Sequence, residues 1–77
     1  MKLEIISPSE IMFSGDVDAV TLPGVQGKFT VLKNHASLIS VLKPGDLRYV
    51  TAGEEQNIEI KGGIADIDMN KISVCVY

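Results

Sequence analysis

With 77 residues, the chain has room for one domain, and its net charge of −3 argues against a nucleic-acid partner, which requires a basic face. Tryptophan is absent, so the core has to be built from isoleucine, valine and leucine, which favour strands. No apolar run approaches the ~20 residues that span a bilayer, so we expect no direct membrane insertion. The single cysteine, Cys75, and the lack of a signal-peptide core are typical of a cytosolic protein.

Short alternating or β-branched runs, separated by turn residues, predict strands in the first half of the chain. Ser14-Gly15-Asp16 is expected to bend or bulge the second strand. Pro23-Gly24 is typical of the centre of a type II turn, and Asn34 of a left-handed turn. The predicted strands are residues 2–6, 11–13, 16–21, 29–31 and 38–42.

The second half continues with strands and turns. Gly62-Gly63 predicts either a kink or a close approach of two backbones. No helical period extends beyond about two turns. The sequence therefore predicts an all-β sandwich of eight to ten short strands, as one domain over residues 1–77. The further strands are expected at residues 47–50, 56–61, 64–68 and 71–76.

Residues that could support catalysis or bind a metal are few. Ser37 and His35 could join an aspartate in a triad, but a triad is defined by geometry and serines are common. Asp66 and Asp68 share one strand face, where two carboxylates are too few for a hard cation. Gly24–Gly27 lacks the Gly-Lys-Ser/Thr ending of a phosphate loop. We therefore expect a binding module, not an enzyme, with no cofactor and no metal.

Several predicted strands carry apolar residues on both faces. Ile6 follows Ile5, Val50 follows Tyr49, and Ile39 follows Leu38, whereas one buried face accounts for only every second residue. These residues indicate a second apolar face that a partner protein would cover.

An ordered set of segments resembles the amino-terminal domain of the epsilon subunit of bacterial F-type ATP synthases. The resemblance covers the whole chain with nearly constant spacing. No single motif is specific, but the ordered set is. The segments are Ser14–Asp18, Leu22-Pro23-Gly24 with Gly27, Asn34–Ile39, Leu42–Gly45 and Gly62-Gly63.

This resemblance implies a flattened β-sandwich of about ten strands and a non-catalytic subunit of the rotor stalk. Such a subunit joins the gamma subunit to the polar loops of the c-ring and couples proton-driven rotation to ATP synthesis. It lies at the cytoplasmic face of the bacterial inner membrane as a peripheral part of the complex. The resemblance places Gly24, Val25, Gln26, Gly27 and Lys28 against the c-ring, and Ser7, His35 and Ser40 against the gamma subunit.

The chain departs from the family pattern at three places. Lys28 stands where the c-ring turn usually carries an acidic residue, which calls for a complementary acidic or carbonyl group on the ring loop. Lys33-Asn34 and Ser37 replace a Pro-Gly pair and a proline. The sequence ends at Tyr77, where the family continues into an inhibitory helical hairpin. We therefore expect a subunit that couples without inhibiting by that route and binds no nucleotide.

A biotinyl or lipoyl carrier domain is the alternative interpretation. Such carriers are also acidic β-sandwiches of about this size, and they bear a modified lysine at a hairpin tip. Met69-Asn70-Lys71 lies in a predicted turn, so Lys71 would be the modified residue. The turn lies nearer the end of the chain than the carrier pattern favours.

Overall fold

The computed structural model describes residues 1–77 and consists of strands joined by short turns, without a helix. No helix is therefore long and apolar enough to cross a membrane. The all-β prediction is confirmed, with one strand fewer than the ten that the resemblance implied. The nine strands are β1 (Lys2–Ile6), β2 (Ile11–Asp16), β3 (Ala19–Gly24), β4 (Gly27–Leu32), β5 (His35–Leu42), β6 (Gly45–Thr51), β7 (Glu54–Ile60), β8 (Gly63–Met69) and β9 (Lys71–Val76).

All nine strands belong to one continuous sheet that folds over on itself. Its order is β2-β1-β9-β8-β5-β3-β6-β7, and β4 pairs with the other edge of β3. Neighbouring strands are antiparallel except β1 and β9, which are parallel. Strands β5 and β3 share a single register pair, Leu42 with Gly24. This pair divides the sheet into a five-stranded layer (β2, β1, β9, β8, β5) and a four-stranded layer (β4, β3, β6, β7).

The core lies between the two layers and is aliphatic. Its fifteen buried residues are all isoleucine, valine or leucine except Tyr49 and Ala65. Leu3 and Ile72 enter it from the five-stranded layer, and Leu22 enters it from the four-stranded layer, each with no exposed surface. Burying a side chain of this size contributes about 1.5–3 kcal/mol, so this alternating pattern supplies the main stabilising term of the fold.

The bulge predicted at Ser14-Gly15-Asp16 lies elsewhere in the same strand. These three residues pair regularly with Glu4, Leu3 and Lys2, and the prediction of a bend there is wrong. The register instead shifts between Ile5, which pairs with Phe13, and Ile6, which pairs with Ile11. The extra residue at position 12 places Ile11 and Phe13 on opposite faces of the sheet. Phe13 can therefore pack on Tyr49 of the other layer, with ring centroids 4.4 Å apart.

Gly62-Gly63 brings two backbones together, as predicted. A Cβ at Gly63 would overlap the carbonyl oxygen of Cys75 and lie 3.0 Å from Cα of Val76. Backbone atoms in the middle of a sheet cannot move aside as a flexible side chain can. The beginning of β8 can therefore pack against the end of β9 only if residue 63 has no side chain.

We predict that Gly63→Ala lowers the free energy of unfolding by more than about 3 kcal/mol, because the added methyl group overlaps backbone. Urea denaturation followed by far-ultraviolet circular dichroism measures this loss. Gly15→Ala is the matched control, since its Cβ would meet only the ring of Phe13, at 3.2 Å. The control should cost less than about 1 kcal/mol. Equal losses in the two variants would contradict the proposed overlap.

The β6–β7 hairpin contains a strained residue. Its two-residue turn places Ala52 at φ 52° and Gly53 at φ 78°, between the paired residues Thr51 and Glu54. Two successive positive φ angles are typical of a type I′ turn, which favours Asn-Gly. Alanine has no local hydrogen bond to offset the steric cost of the left-handed region.

Ala52→Asn should therefore raise the free energy of unfolding by about 1 kcal/mol, since asparagine tolerates this conformation. The same urea denaturation measures the gain. Ala52→Ser serves as a polar control, and it should give no comparable increase. An unchanged midpoint in the asparagine variant would mean that the turn is not strained in solution.

Candidate functional site

The β3–β4 hairpin carries the residues predicted to contact the c-ring. Its two-residue turn is Val25-Gln26, between the paired residues Gly24 and Gly27. The prediction of a type II turn centred on Pro23-Gly24 is wrong, because both residues lie within β3. Gly24 is not among the residues with positive φ, which a type II turn requires at its third residue. The turn lies two residues later than predicted.

Two backbone hydrogen bonds to β5 explain why Pro23 and Gly24 remain extended. The amide of Lys43 donates to the carbonyl of Pro23 at 2.9 Å, and the amide of Val25 donates to the carbonyl of Val41 at 3.0 Å. Proline tolerates this strand because its carbonyl, not its missing N–H, makes the bond. Long-range pairing thus overrides the local turn preference.

A groove opens between the tip of this hairpin and the middle of β5. It has a volume of about 540 Å³ and is lined by residues 24–29 and 38–41. All five residues predicted for the c-ring contact, 24–28, line it, and so does Ser40 from the set predicted to contact the gamma subunit. The groove also includes residues that were not predicted for the site: Phe29, Leu38, Ile39 and Val41. The apolar residues on both faces of β5 were the only signal that could have indicated them.

Gly24 and Phe29, which both line the groove, are in close contact. A Cβ at Gly24 would lie 2.8 Å from the carbonyl oxygen of Gly27 and 2.9 Å from Cε1 of Phe29. The aromatic ring therefore packs directly over the glycine backbone. This contact gives the hairpin tip its shape.

The groove lies in the basic part of an acidic chain. Lys28 is exposed and is the one charged residue among those lining the groove. Residues 19–45 contain three lysines and the single histidine, His35, but neither aspartate nor glutamate. The other fifty residues hold all ten acidic residues and only four of the seven basic ones. The segment that forms the groove therefore carries a formal charge opposite in sign to that of the whole chain.

A second candidate surface crosses the outer face of the five-stranded layer. Val41 pairs with Ile64, Ile64 with Cys75, Cys75 with Ile6, and Ile6 with Ile11. Cross-strand partners point to the same side of a sheet, so these five side chains form one line, here called the apolar row. Ile11 is 63%, Val41 50% and Ile64 48% exposed. The apolar row corresponds to the second apolar face that the sequence indicated at Ile6.

The three residues predicted for the gamma contact lie apart. Ser7 follows Ile6 and Ser40 precedes Val41, so both adjoin the apolar row. His35 pairs with Met69, roughly 17 Å along β8 from the row. Ser40 pairs with the buried Ala65, so its side chain lies on the groove side of β5. Ser7 also closes the β1–β2 turn, because its hydroxyl oxygen accepts a hydrogen bond from the amide of Glu10 at 3.2 Å.

Ser37 and His35 do not form the catalytic contact considered above. The hydroxyl of Ser37 donates to Oδ1 of Asp68 at 2.9 Å. Nδ1 of His35 lies 2.6 Å from the carbonyl oxygen of Ala36, which can only accept, so Nδ1 is the protonated nitrogen. Each side chain is thus engaged elsewhere. The left-handed conformation predicted for Asn34, in the turn before His35, is confirmed by its φ of 64°.

A family model described as "ATP synthase, Delta/Epsilon chain, beta-sandwich domain" matches residues 1–77. The chain belongs to this family.

Relatives within the Delta/Epsilon family support the assignment along the whole chain. The ATP synthase epsilon chain of Rhodopseudomonas palustris strain BisA53 is 42% identical over 71 residues, which are 92% of this chain and 53% of the relative. The ATP synthase epsilon chain of a Nitratiruptor species is 42% identical over 77 residues, 99% of this chain and 60% of the relative. The chain thus spans only about half to three fifths of the length of these relatives.

Two solved structures share the fold. A chain of the Euglena gracilis mitochondrial ATP synthase, in a structure of OSCP, F1 and c-ring, superimposes with a TM-score of 0.90 at 23% identity. The match covers 96% of the present chain and 48% of the Euglena chain. A chain from a structure of the central stalk and c-ring of the Tetrahymena thermophila mitochondrial ATP synthase superimposes with a TM-score of 0.83 at 14% identity. This match covers 99% of the present chain and 62% of the Tetrahymena chain. At these identities the likeness shows the β-sandwich fold alone.

Nothing in these comparisons supports the carrier-domain interpretation of Lys71. The two-residue turn between β8 and β9 is Met69-Asn70, with Met69 at φ 48°, and Lys71 is the first residue of β9 after it. Lys71 pairs with Asp68 on one side and with Lys2 on the other. It therefore lies within the sheet, not at the tip of a hairpin, where a carrier lysine would have to reach its ligating enzyme.

In this Delta/Epsilon family member, Gly24→Ala should displace the ring of Phe29, because the added methyl group and the ring would occupy the same space. We expect a loss of about 1–3 kcal/mol in the free energy of unfolding. Loss of the nuclear Overhauser effects between the Phe29 ring and residue 24 would report the displacement. Retention of those contacts at unchanged stability would contradict the described packing.

Proposed function

We propose that this chain forms the β-sandwich part of a non-catalytic rotor-stalk subunit in a proton-translocating F-type ATP synthase. It joins the gamma subunit to the polar loops of the c-ring and couples rotation to ATP synthesis. As part of that complex it lies at the cytoplasmic face of the bacterial inner membrane, without inserting itself. Family membership and the bacterial relatives, which are ATP synthase epsilon chains, support this proposal.

The apolar row is the observation that carries the proposal. Single exposed apolar residues are ordinary, but five in register across five strands form a continuous stripe. Water contact along this stripe is unfavourable by about 25 cal/mol for each Å² of apolar surface. A partner subunit that covers the row removes this cost, which suits a permanent member of a complex better than a free enzyme.

The two surfaces suit the two proposed partners. The gamma subunit covers the apolar row beside Ser7, whereas Ser40 adjoins the row only through its backbone, because its side chain lies on the groove side of β5. The polar loops of the c-ring meet the hairpin tip, residues 24–28, whose surface is mixed and carries Lys28. His35 lies outside this arrangement unless the gamma subunit extends along β5. Nucleotide binding has no part in either contact, and isothermal titration with ATP measures that prediction.

We expect Ile64→Lys to weaken binding to the gamma subunit by at least tenfold, because it places a charge in the centre of the apolar row. Co-purification and calorimetric titration with the gamma subunit of the same organism measure this loss. Leu32→Lys is the matched control, because Leu32 is 59% exposed on β4, away from the row. The affinity of this control for the gamma subunit should be within twofold of that of the unsubstituted chain.

His35→Asp, measured in parallel, defines the extent of the contact. Loss of binding in both Ile64→Lys and His35→Asp would mean that the contact with the gamma subunit extends along β5 from Val41 to His35. Loss of binding in Ile64→Lys alone would confine the contact with the gamma subunit to the apolar row. Equal binding by all variants would remove the row from the interface. A well-folded gamma subunit that binds none of them would contradict the rotor-stalk proposal.

A further inference from the structure

Strand β5 has a free edge beside the groove. It pairs with β8 along most of its length, but on its other side it meets β3 only where Leu42 pairs with Gly24. Strand β3 then turns at Val25-Gln26, and β4 returns along the far edge of β3. Residues 37–40 of β5 are therefore left without a neighbouring strand on the groove side.

The backbone groups at this free edge can be assigned from the hydrogen bonds nearby. The carbonyl of Val41 and the amide of Lys43 both point towards β3, where they bond to Val25 and Pro23. Backbone N–H and C=O groups of every second residue point to the same side of a strand. The N–H and the C=O of Ile39 consequently both face the groove. They point to the space that β3 would occupy if it continued beyond Gly24 instead of turning.

Side chains around the free edge combine apolar surface with one positive charge. Ile39 is 70%, Val25 53% and Leu38 41% exposed, although all three line the groove. Lys28 supplies the charge on the opposite wall. Asp66 of β8 pairs with Ile39, so its carboxylate lies beside the Ile39 side chain on the outer face, but it is not among the residues that line the groove. The groove thus has the features of a site for strand addition, in which main-chain bonds give affinity and side chains give specificity.

We propose that the groove binds an extended segment of another polypeptide, which pairs with the free edge of β5 and presents a carboxylate to Lys28. Its alternate apolar side chains pack on Val25 and Leu38. This inference rests on the proposed function, because it requires that another subunit reaches the groove. It adds the chemistry of the segment that binds there. The acidic partner fits the basic character of residues 19–45.

A lysine beside an unpaired strand edge has a competing explanation. Lysines on edge strands prevent unwanted pairing between chains, and β4 is itself an edge strand. If Lys28 serves only that purpose, an added strand should be disfavoured at the groove whatever its charge. The two explanations therefore predict opposite results for an acidic strand-forming peptide.

The first experiment titrates the isotope-labelled 77-residue chain with the probe peptide acetyl-Val-Glu-Val-Thr-Val-amide and observes amide shifts and hydrogen exchange by NMR. We expect slowed exchange at Ile39 and shift changes confined to residues 24–29 and 37–41. The counterpart with lysine in place of glutamate should bind about tenfold more weakly. An unchanged Ile39 exchange rate at saturating acidic peptide, or shift changes outside the groove, would overturn the inference, as would the absence of binding.

Charge reversal tests the role of Lys28. Lys28→Glu should weaken binding of the acidic peptide about tenfold and strengthen binding of the lysine peptide. Lys33→Glu is the matched control, since it makes the same charge change in the turn after β4, outside the groove. It should alter either affinity by no more than about twofold. Equal effects of the two variants would mean that net charge, not the groove, determines binding.

A second arm separates this inference from the rotor-stalk proposal. Hydrogen exchange at Ile39 is measured in the assembled complex with the gamma subunit and c-ring. A complex that forms and protects Ile39 supports both proposals. If the complex forms but the Ile39 amide still exchanges freely, strand addition is overturned and the rotor-stalk function is retained. Failure to assemble, with the acidic peptide still protecting Ile39, contradicts the rotor-stalk function and retains strand addition.

Discussion

The contact between β3 and β5 is the constraint on which both candidate surfaces depend. It consists of one register pair, Gly24 with Leu42, and of hydrogen bonds from Val25 to Val41 and from Lys43 to Pro23. Here the sheet passes from one layer to the other. Because the two strands meet only at their carboxyl-terminal ends and β3 then turns away at Val25-Gln26, the edge of β5 that precedes Leu42 stays open. The fold-over that closes the core therefore also creates the groove.

The outer face depends on a second irregularity, the bulge in β2. With regular alternation, Ile11 and Phe13 would share a face, and one of them would point the wrong way. The shift between Ile5 and Ile6 sends Phe13 into the core against Tyr49 and leaves Ile11 outside. The apolar row consequently extends into the fifth strand. The same local defect completes the core and lengthens the candidate interface, which is why bulges are treated as specific features of a fold.

Strand positions and the aliphatic core could be predicted from period-two alternation, because burial on one face is a local pattern. Asn34 and Gly63 could be assigned to special backbone positions for a similar reason, since each residue type is suited to one steric situation. Pro23-Gly24 and Gly15 could not, because pairing with distant strands determined their conformation. The groove was not predictable either. It arises because β3 and β5 overlap only at their carboxyl-terminal ends, and no residue pattern records that offset.

The dimensions of the two surfaces indicate that they act together. Five strands spaced about 4.8 Å apart give the apolar row a length of roughly 19 Å, and its width is about two residues, or about 7 Å. A stable interface covers about 800 Å² on each partner, several times the area of this row. A partner on the row must therefore also cover polar rows beside it or reach the groove, which lies next to Val41. Val41 belongs to both surfaces, so contacts at the row and at the groove should not be energetically independent. A force applied at one contact would then reach the other through the same strand, β5, which pairs with β8 in its own layer and meets β3 of the other layer at Leu42.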